Sequence, residues 1–100
     1  MTEPGVKHDE DKPRWVLLPW RQVEHVVKVL TYGANKYPSA DNWKRVANAE
    51  NRYFDAALRH ITAHWHGEET DPESGLPHLA HAICCLLFLL WLSDNKGTQG

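Results

Sequence analysis

The sequence predicts an all-α protein with three main helices and a short connecting helix. Apolar residues recur at helical spacing in two segments, and a third segment, Ala82 to Leu92, is apolar for 11 residues. Turn-forming residues separate these segments, and no stretch keeps the apolar–polar alternation of a strand. A chain of 100 residues has the length of one domain. We therefore predict a flexible tail over residues 1–11, one helical domain over 12–93 and a second flexible tail over 94–100.

The first helix is predicted to follow Pro19, because proline suits the first turn of a helix. Its apolar stripe falls at positions i, i+3, i+4 and i+7. The stripe consists of Val23, Val26, Val27 and Leu30. We expect this helix to end near residues 31–33, where Gly33 can adopt the left-handed conformation that often ends helices.

Turn formers then fill residues 34–48, where Ser39 or Asp41 can cap the short connecting helix. The second long helix is predicted to begin at about 48–51 and to run to His66, with Gly67 ending it. Its expected apolar stripe consists of Phe54, Ala57, Leu58, Ile61 and Trp65.

The third helix is predicted from about Leu76 to Leu92, with Pro77 in its first turn. Beyond Ala82 it is apolar on all sides, and such a helix has to be buried all round. Two other helices can hardly surround it, so either the short segments of the chain wrap it or a second copy of the chain does. We therefore expect a homodimer or homotetramer that forms through the 77–92 helix. Cys84 and Cys85, inside this run, are expected to be buried apolar residues in a reducing compartment.

Composition excludes several classes of partner. The net charge is −2 and the isoelectric point is about 6.4, so no basic surface is expected to attract nucleic acid. The longest apolar run has 11 residues, whereas a membrane-spanning helix needs roughly 20. The polar N-terminus has no apolar core of a secretory signal. We expect a cytoplasmic protein with no membrane partner.

Histidine and acidic residues concentrate between His60 and His81, a segment with five of the seven histidines. The loop within it carries Glu68, Asp71 and Glu73, whose carboxylates suit Mg²⁺ or Mn²⁺. The alternative is a solvated loop in which Asp71 or Ser74 caps the next helix.

The histidines fall into two pairs on helices. His78 and His81 are three residues apart and share a face, and the helix N-terminus favours their neutral, metal-ligating form. Alternatively they bond a carboxylate and only order the loop. His60 and His64 are four apart, but the glutamate of a zinc protease motif is missing between them. Of the second helix, His60 is the candidate for chemistry, and His66 is expected to serve the helix end.

Sequence motifs limit the chemistry further. The chain has no phosphate-binding loop, no dinucleotide-binding glycine motif and no serine nucleophile motif. The remaining type of reaction is one in which a metal ion activates water and the water attacks phosphorus. Cations for phosphates are spread over Lys12, Arg14, Lys36, Lys44, Arg45, Arg52 and Arg59. Tyr37, Asn42 and Trp43 can hold a purine by stacking and hydrogen bonding. The alternative is that these aromatic residues pack over the core.

Five ordered segments resemble a phage-associated family of dATP/dGTP diphosphohydrolases, related to the MazG-like all-α nucleotide pyrophosphohydrolases. They are KPRWVLLPW (12–20), VLTYGANKY (29–37), NW (42–43), RYFDAALRH (52–60) and GEETDPESGLPHLAHA (67–82). The resemblance implies an oligomeric, Mg²⁺-dependent catalytic domain that cleaves a purine deoxynucleoside triphosphate to the monophosphate and pyrophosphate. A phage protein of this kind would act in the host cytoplasm.

This chain departs from the MazG-like pattern of paired glutamates and a Glu-x-x-Asp pair. Asp55 and His60 stand on the second helix, and His78 and His81 on the third. Our hypothesis assigns Mg²⁺, or Mn²⁺ in its place, to Glu68, Asp71, Glu73 and His78. The catalytic residues would be Arg59, which stabilises phosphate charge with Lys36, and His60 or His81, which accepts a proton. The substrate would contact Lys12, Arg14, Lys36, Tyr37, Asn42 and Trp43.

Two other functions stay open at this point. A histidine-rich site also fits the HD-type phosphohydrolases, which release triphosphate, but the contiguous His-Asp pair occurs only as His8-Asp9 in the predicted tail. A non-enzymatic helical module with structural Zn²⁺ is the second alternative. Such sites favour cysteine ligands, and Cys84 and Cys85 lie in the apolar run.

Overall fold

A computed structural model describes residues 3–96, and this part of the chain is all-α, as predicted. The three helices are α1 (Trp20–Lys36), α2 (Ala49–Trp65) and α3 (His78–Asp94). Short 3₁₀ helices cover Trp15–Leu17 and Asn42–Arg45, and the second is the predicted connecting helix. Over residues 3–96 the only β pairing is an isolated bridge from Thr70 to Pro77. The tail predictions for residues 1–2 and 97–100 fall outside the described residues.

α1 begins directly after Pro19, as predicted, but it ends one turn later than expected. Gly33 lies inside the helix, and its carbonyl accepts the N–H of Tyr37 at 3.3 Å. Tyr37 is extended (φ −112°, ψ 164°) because it precedes Pro38, and proline disfavours a helical residue before it. Proline, rather than glycine, therefore sets the end of α1.

α2 and α3 are antiparallel, but α2 buries a face other than the predicted one. Tyr53 near the start of α2 meets Phe88 in the second half of α3, with ring centroids 5.1 Å apart. The predicted stripe was wrong except for Ala57, which is 2% exposed. The other stripe residues, Phe54, Leu58, Ile61 and Trp65, are 40% to 83% exposed. The small side chain of Ala57 lets α3 approach on its side of α2 and leaves the large residues outside.

The core lies between α1 and α3. Val26 and Val29 of α1 pack against Ala80 and Cys84 of α3, and Leu76 and Phe88 extend this cluster. Within the predicted α1 stripe only Val26 is buried, and Val27 is 52% exposed, because the buried face is centred on Val26 and Val29.

α3 is not surrounded by the other helices of its own chain. Its outer stripe, Leu79, Ile83, Leu86 and Leu90, is 43% to 58% exposed. Across the described range, none of the helices combines the length and apolarity that a bilayer crossing requires.

The two cysteines are free and buried, and burial raises the pKa of the Cys84 thiol to about 12. Only the thiolate reacts with alkylating reagents, so we expect iodoacetamide to leave both residues unmodified in the folded protein at pH about 8. In denaturant both should react within minutes, which mass spectrometry can follow. Equal labelling rates with and without denaturant would contradict the burial of α3 against α1.

Candidate metal centre

Three potential ligands from three different parts of the chain meet beside the core. His60 comes from α2, Asp71 from the following loop and His81 from the first turn of α3. Their ligating atoms all lie within 4.8 Å of one another. We call these three residues the cluster. The rings of His60 and His81 stack, with centroids 4.6 Å apart and planes at 12°.

The loop holds the Asp71 carboxylate in place through its own backbone. Asp71 Oδ1 accepts the N–H groups of Glu73 at 2.7 Å and Ser74 at 3.3 Å. The Gly75 N–H donates to the Asp71 carbonyl at 2.8 Å, and Gly75 itself has a left-handed φ of 74°, which glycine adopts readily. Asp71 Oδ2 lies 3.8 Å from His60 Nδ1. Oδ1 therefore forms hydrogen bonds within the loop, whereas Oδ2 faces the histidines of the cluster.

His78 adjoins the cluster from the buried side. Its Nδ1 lies 2.8 Å from Nδ1 of His60, and its Nε2 lies 2.7 Å from Glu68 Oε1. The His78 side chain is 6% exposed, whereas that of Glu68 is 57% exposed. A carboxylate at the surface thus holds a buried imidazole against the cluster.

His81 has a comparable partner in Ser74, whose Oγ lies 2.7 Å from His81 Nε2. The same Oγ accepts the Leu76 N–H at 3.1 Å. When Ser74 also accepts the His81 Nε2–H, the lone pair of His81 is on Nδ1 and is available to a cation.

The surroundings of the cluster favour neutral histidines and an ionised aspartate, the protonation states in which these side chains bind metal ions. Burial, followed by the neighbouring His81 and His78, lowers the pKa of His60 below its usual range. Burial also lowers the pKa of His81. Burial alone would raise the pKa of Asp71, but the N–H groups of Glu73 and Ser74 hold it below its ordinary value. At neutral pH the cluster therefore offers two neutral imidazoles and one carboxylate.

The cluster forms part of the wall of a cleft of about 1050 Å³ between α1, the connecting helix, α2 and α3. The cations in its wall are Lys36, Arg52 and Arg59. Other polar or aromatic residues of the wall include Tyr32, Tyr37, Asn42, Trp43, Tyr53, Asp55 and Glu73. Lys12 and Arg14 are exposed and are not among the residues that line this cleft.

Glu73 ties the loop to α1 rather than facing the cluster. Its Oε1 accepts a hydrogen bond from Lys36 Nζ at 2.6 Å and another from the Tyr32 hydroxyl at 3.1 Å. Lys36 and then Tyr32 lower the pKa of Glu73, so the carboxylate stays charged. The ion pair between Lys36 and Glu73 therefore links the loop to α1 in the wall of the cleft.

The four proposed metal ligands thus occupy different surroundings. Asp71 lies in the cluster, His78 contacts it through His60, Glu68 bonds the far side of His78, and Glu73 pairs with Lys36. The two proposed proton acceptors, His60 and His81, both stand in the cluster with Asp71.

Trp43 packs on α3, as the alternative interpretation expected. Its ring stacks on Phe88 at 4.3 Å and meets the edge of Trp91 at 5.2 Å. It still lines the cleft.

Sequence reasoning missed the role of Ser74 at His81 and of Tyr32 at Glu73. In the alternative interpretation of the loop, Asp71 or Ser74 caps α3, but the cap position of α3 is Pro77, with no side-chain hydrogen bond. The seven-residue spacing of Ser74 and His81 carries no recognisable signal. Tyr32 lies 41 residues from Glu73, so only the fold brings them together.

Comparison with known proteins gives a consistent result. A family model described as dATP/dGTP diphosphohydrolase, N-terminal, matches residues 2–99. A dATP/dGTP diphosphohydrolase of Salmonella phage PMBT28 is 37% identical over 95 residues, which is 95% of this chain and 32% of that protein. The chain thus spans about a third of the length of this relative. No solved structure matches the chain significantly.

Proposed function

The chain belongs to the dATP/dGTP diphosphohydrolase N-terminal family, and from this premise we propose that it hydrolyses dATP or dGTP to the monophosphate and pyrophosphate with the help of a divalent ion. The observation that carries the proposal is the cluster of His60, Asp71 and His81 in the wall of a cleft that also presents three cations. Ligands for a metal ion and cations for phosphates are what a nucleotide hydrolase requires in one cavity.

The donor set fits a divalent cation, which His60, Asp71 and His81 would hold, with His78 as a fourth ligand. The carboxylate suits Mg²⁺ or Mn²⁺, whereas the imidazoles suit a transition metal such as Zn²⁺ or Fe²⁺. A bound cation of this kind would neutralise phosphate charge and lower the pKa of a water molecule. Under this assignment Glu68 and Glu73 are not direct ligands, because the first bonds His78 and the second bonds Lys36.

The side chains of the cleft would orient the triphosphate. Lys36 and Arg59 line the cleft and can stabilise the charge on the phosphates as it shifts to the leaving group. The water oxygen bonds to the α-phosphorus and its proton passes to the solvent, while the bond to the bridging oxygen breaks and pyrophosphate leaves with the electron pair. Because His60 and His81 would bind the cation through their lone pairs, they cannot accept the water proton at the same time.

We assign the purine to the wall formed by Tyr37, Asn42 and Trp43. The Asn42 amide can bond a purine edge, and Tyr37 can contribute a stacking surface. Phe88 already covers one face of Trp43, so Trp43 can offer a purine only its other face. Lys12 and Arg14, which were predicted to contact the substrate, are not included in this proposed binding site, because neither lines the cleft.

A nucleotide panel with product identification tests the proposal. The purified protein with Mg²⁺ or Mn²⁺ should release pyrophosphate and the monophosphate from dATP or dGTP. Pyrimidine deoxynucleotides serve as the matched control and should react more slowly. Release of inorganic phosphate, or no turnover of any nucleotide, would refute the proposed reaction.

One observation favours a second candidate function. The cluster combines histidines with an aspartate, the donor types of HD-type phosphohydrolases, although His8 and Asp9 are exposed residues of the N-terminal segment and do not belong to the cluster. In that reaction water attacks the α-phosphorus and the bond from this phosphorus to O5′ breaks, so that the deoxynucleoside and triphosphate are released. Detection of triphosphate instead of pyrophosphate would select this alternative.

We also propose that a second copy of the chain covers the outer face of α2 and α3. Both helices have an exposed apolar stripe: the outer stripe of α3 described above, and the four exposed residues of the predicted α2 stripe. Because α2 and α3 are antiparallel and meet through Ala57, these two stripes fall on the same side, opposite α1. We call this the outer face. It consists of Phe54, Leu58, Ile61, Trp65, Leu79, Ile83, Leu86 and Leu90, all at least 40% exposed.

The size of the outer face suits a homodimer. With roughly 200 Å² for a fully exposed large apolar side chain, eight residues at about half exposure amount to on the order of 800 Å². Each partner of a standard interface buries about 800 Å². The eight residues of the face are all apolar, so two copies can bury them against each other by two-fold symmetry.

A further inference from the structure

A chain of hydrogen bonds runs from the surface loop into the cluster. Glu68 Oε1 lies 2.7 Å from His78 Nε2, and His78 Nδ1 lies 2.8 Å from His60 Nδ1. The backbone sets the position of Glu68: Gly67 has a φ of 101°, and the Glu68 N–H donates to the Ala63 carbonyl at 3.0 Å. The turn that ends α2 thus places a carboxylate on the outer side of His78.

Hydrogen-bonding chemistry determines which nitrogen of His78 carries the proton. An ionised carboxylate can only accept, so Nε2 of His78 is the donor to Glu68. In the neutral imidazole the lone pair is then on Nδ1, which faces Nδ1 of His60. Two lone pairs at 2.8 Å would repel each other, so either a proton or a cation has to lie between the two atoms.

We propose that Glu68 is a positioning residue, which holds His78 as the Nε2–H tautomer so that His78 Nδ1 is presented to the cation of the cluster. In the cation-free protein the Nδ1–H of His60 donates to His78 Nδ1. With a cation bound, the proton of His60 Nδ1 would pass to water and His60 Nε2 would take one from water. The imidazole would stay neutral, and both Nδ1 atoms would be free to hold the cation. The cation is that of the proposed function, on which this inference rests.

In this arrangement Glu68 supports the site without being a ligand. Its carboxylate contacts the Nε2 side of His78, away from His60 and the cluster. Partners of this kind select the tautomer of a metal-binding histidine and raise its basicity, and their loss typically lowers metal affinity by about 10- to 100-fold.

Nitrogen NMR of histidine-labelled protein tests the tautomers directly. Without metal, His78 should be protonated on Nε2 and His60 on Nδ1. Addition of Zn²⁺, a diamagnetic probe, should move the proton of His60 to Nε2 and leave that of His78 in place. A wild-type His78 protonated on Nδ1 would overturn the proposal.

Matched variants then separate positioning from general stability. Glu68→Ala should mix the tautomers of His78 and weaken Zn²⁺ binding about 10- to 100-fold. Glu68→Gln keeps an acceptor oxygen and should restore the tautomer and most of the affinity. The neighbouring Glu69→Ala is the control, because Glu69 contributes its backbone carbonyl, which accepts the His78 N–H at 2.8 Å and survives the change.

The possible failures can be told apart, because neither readout uses a nucleotide. Retention of both tautomer and Zn²⁺ affinity in folded Glu68→Ala would overturn the positioning role. If Glu68→Ala does not fold, Glu68→Gln still tests the proposal. This variant should keep His78 as the Nε2–H tautomer, and loss of that tautomer would overturn the proposal. Expected tautomers and affinity in a protein that turns over no nucleotide would refute the proposed hydrolysis alone.

Discussion

Replacement of Asp71 by asparagine is expected to lower both Mn²⁺ affinity and nucleotide hydrolysis by more than about 100-fold, since even residues behind a metal ligand are worth about 10- to 100-fold. Asparagine keeps the Oδ1 acceptor for the N–H groups of Glu73 and Ser74. It replaces the charged Oδ2, which lies 3.8 Å from His60 Nδ1, with an amide that cannot serve as an anionic ligand. Calorimetry with Mn²⁺ and a pyrophosphate assay measure the two losses.

His60→Ala provides a second test from another element and should abolish the same two properties. Asp94→Asn, the same change at an exposed site at the end of α3, is the control and should behave as wild type. The melting temperature of metal-free Asp71→Asn should stay close to that of wild type, because the loop keeps its hydrogen bonds. Wild-type Mn²⁺ affinity in Asp71→Asn would show that the cation binds elsewhere.

Leu86→Glu is expected to convert the proposed dimer to a monomer. Leu86 is 51% exposed in the single chain and lies in the outer face. Across a two-fold axis the substitution would bury two carboxylates near each other, and like charges facing each other across an interface cost several kcal/mol. Light scattering should give about 23 kDa for wild type, twice the chain mass of 11.5 kDa, and about half that value for the variant.

Val27→Glu is the matched control for this experiment. Val27 has nearly the same exposure, 52%, but lies on α1, outside the outer face. This variant should remain dimeric. If the wild-type protein is monomeric at micromolar concentration, the proposal that a second copy covers the outer face is wrong. The face would then be available to a different partner.

The positions of the helices were predictable because the responsible signals are local. Pro19 starts α1, residues 48–51 contain the start of α2, and Gly67 follows the end of α2. The exception is the end of α1, where Pro38 outweighed Gly33. Proline acts on its neighbour by steric exclusion, whereas glycine only permits a turn.

The buried faces were less predictable, because an apolar stripe does not specify its partner. Phe54, Leu58 and Ile61 form the most apolar line of α2, yet α3 packs on the side of Ala57. In a small bundle the approach distance of two backbones decides which stripe is covered. The remaining apolar stripe is then left for another chain.

Local sequence patterns were enough to predict the all-α class, the concentration of ligands between His60 and His81, and the family that the chain resembles. How those ligands divide became visible only in the folded chain. His60, Asp71 and His81 converge, Glu68 bonds His78, and Glu73 pairs with Lys36. The reason is geometric: spacing along one helix specifies a shared face, but the meeting of two helices and a loop depends on how they pack against each other.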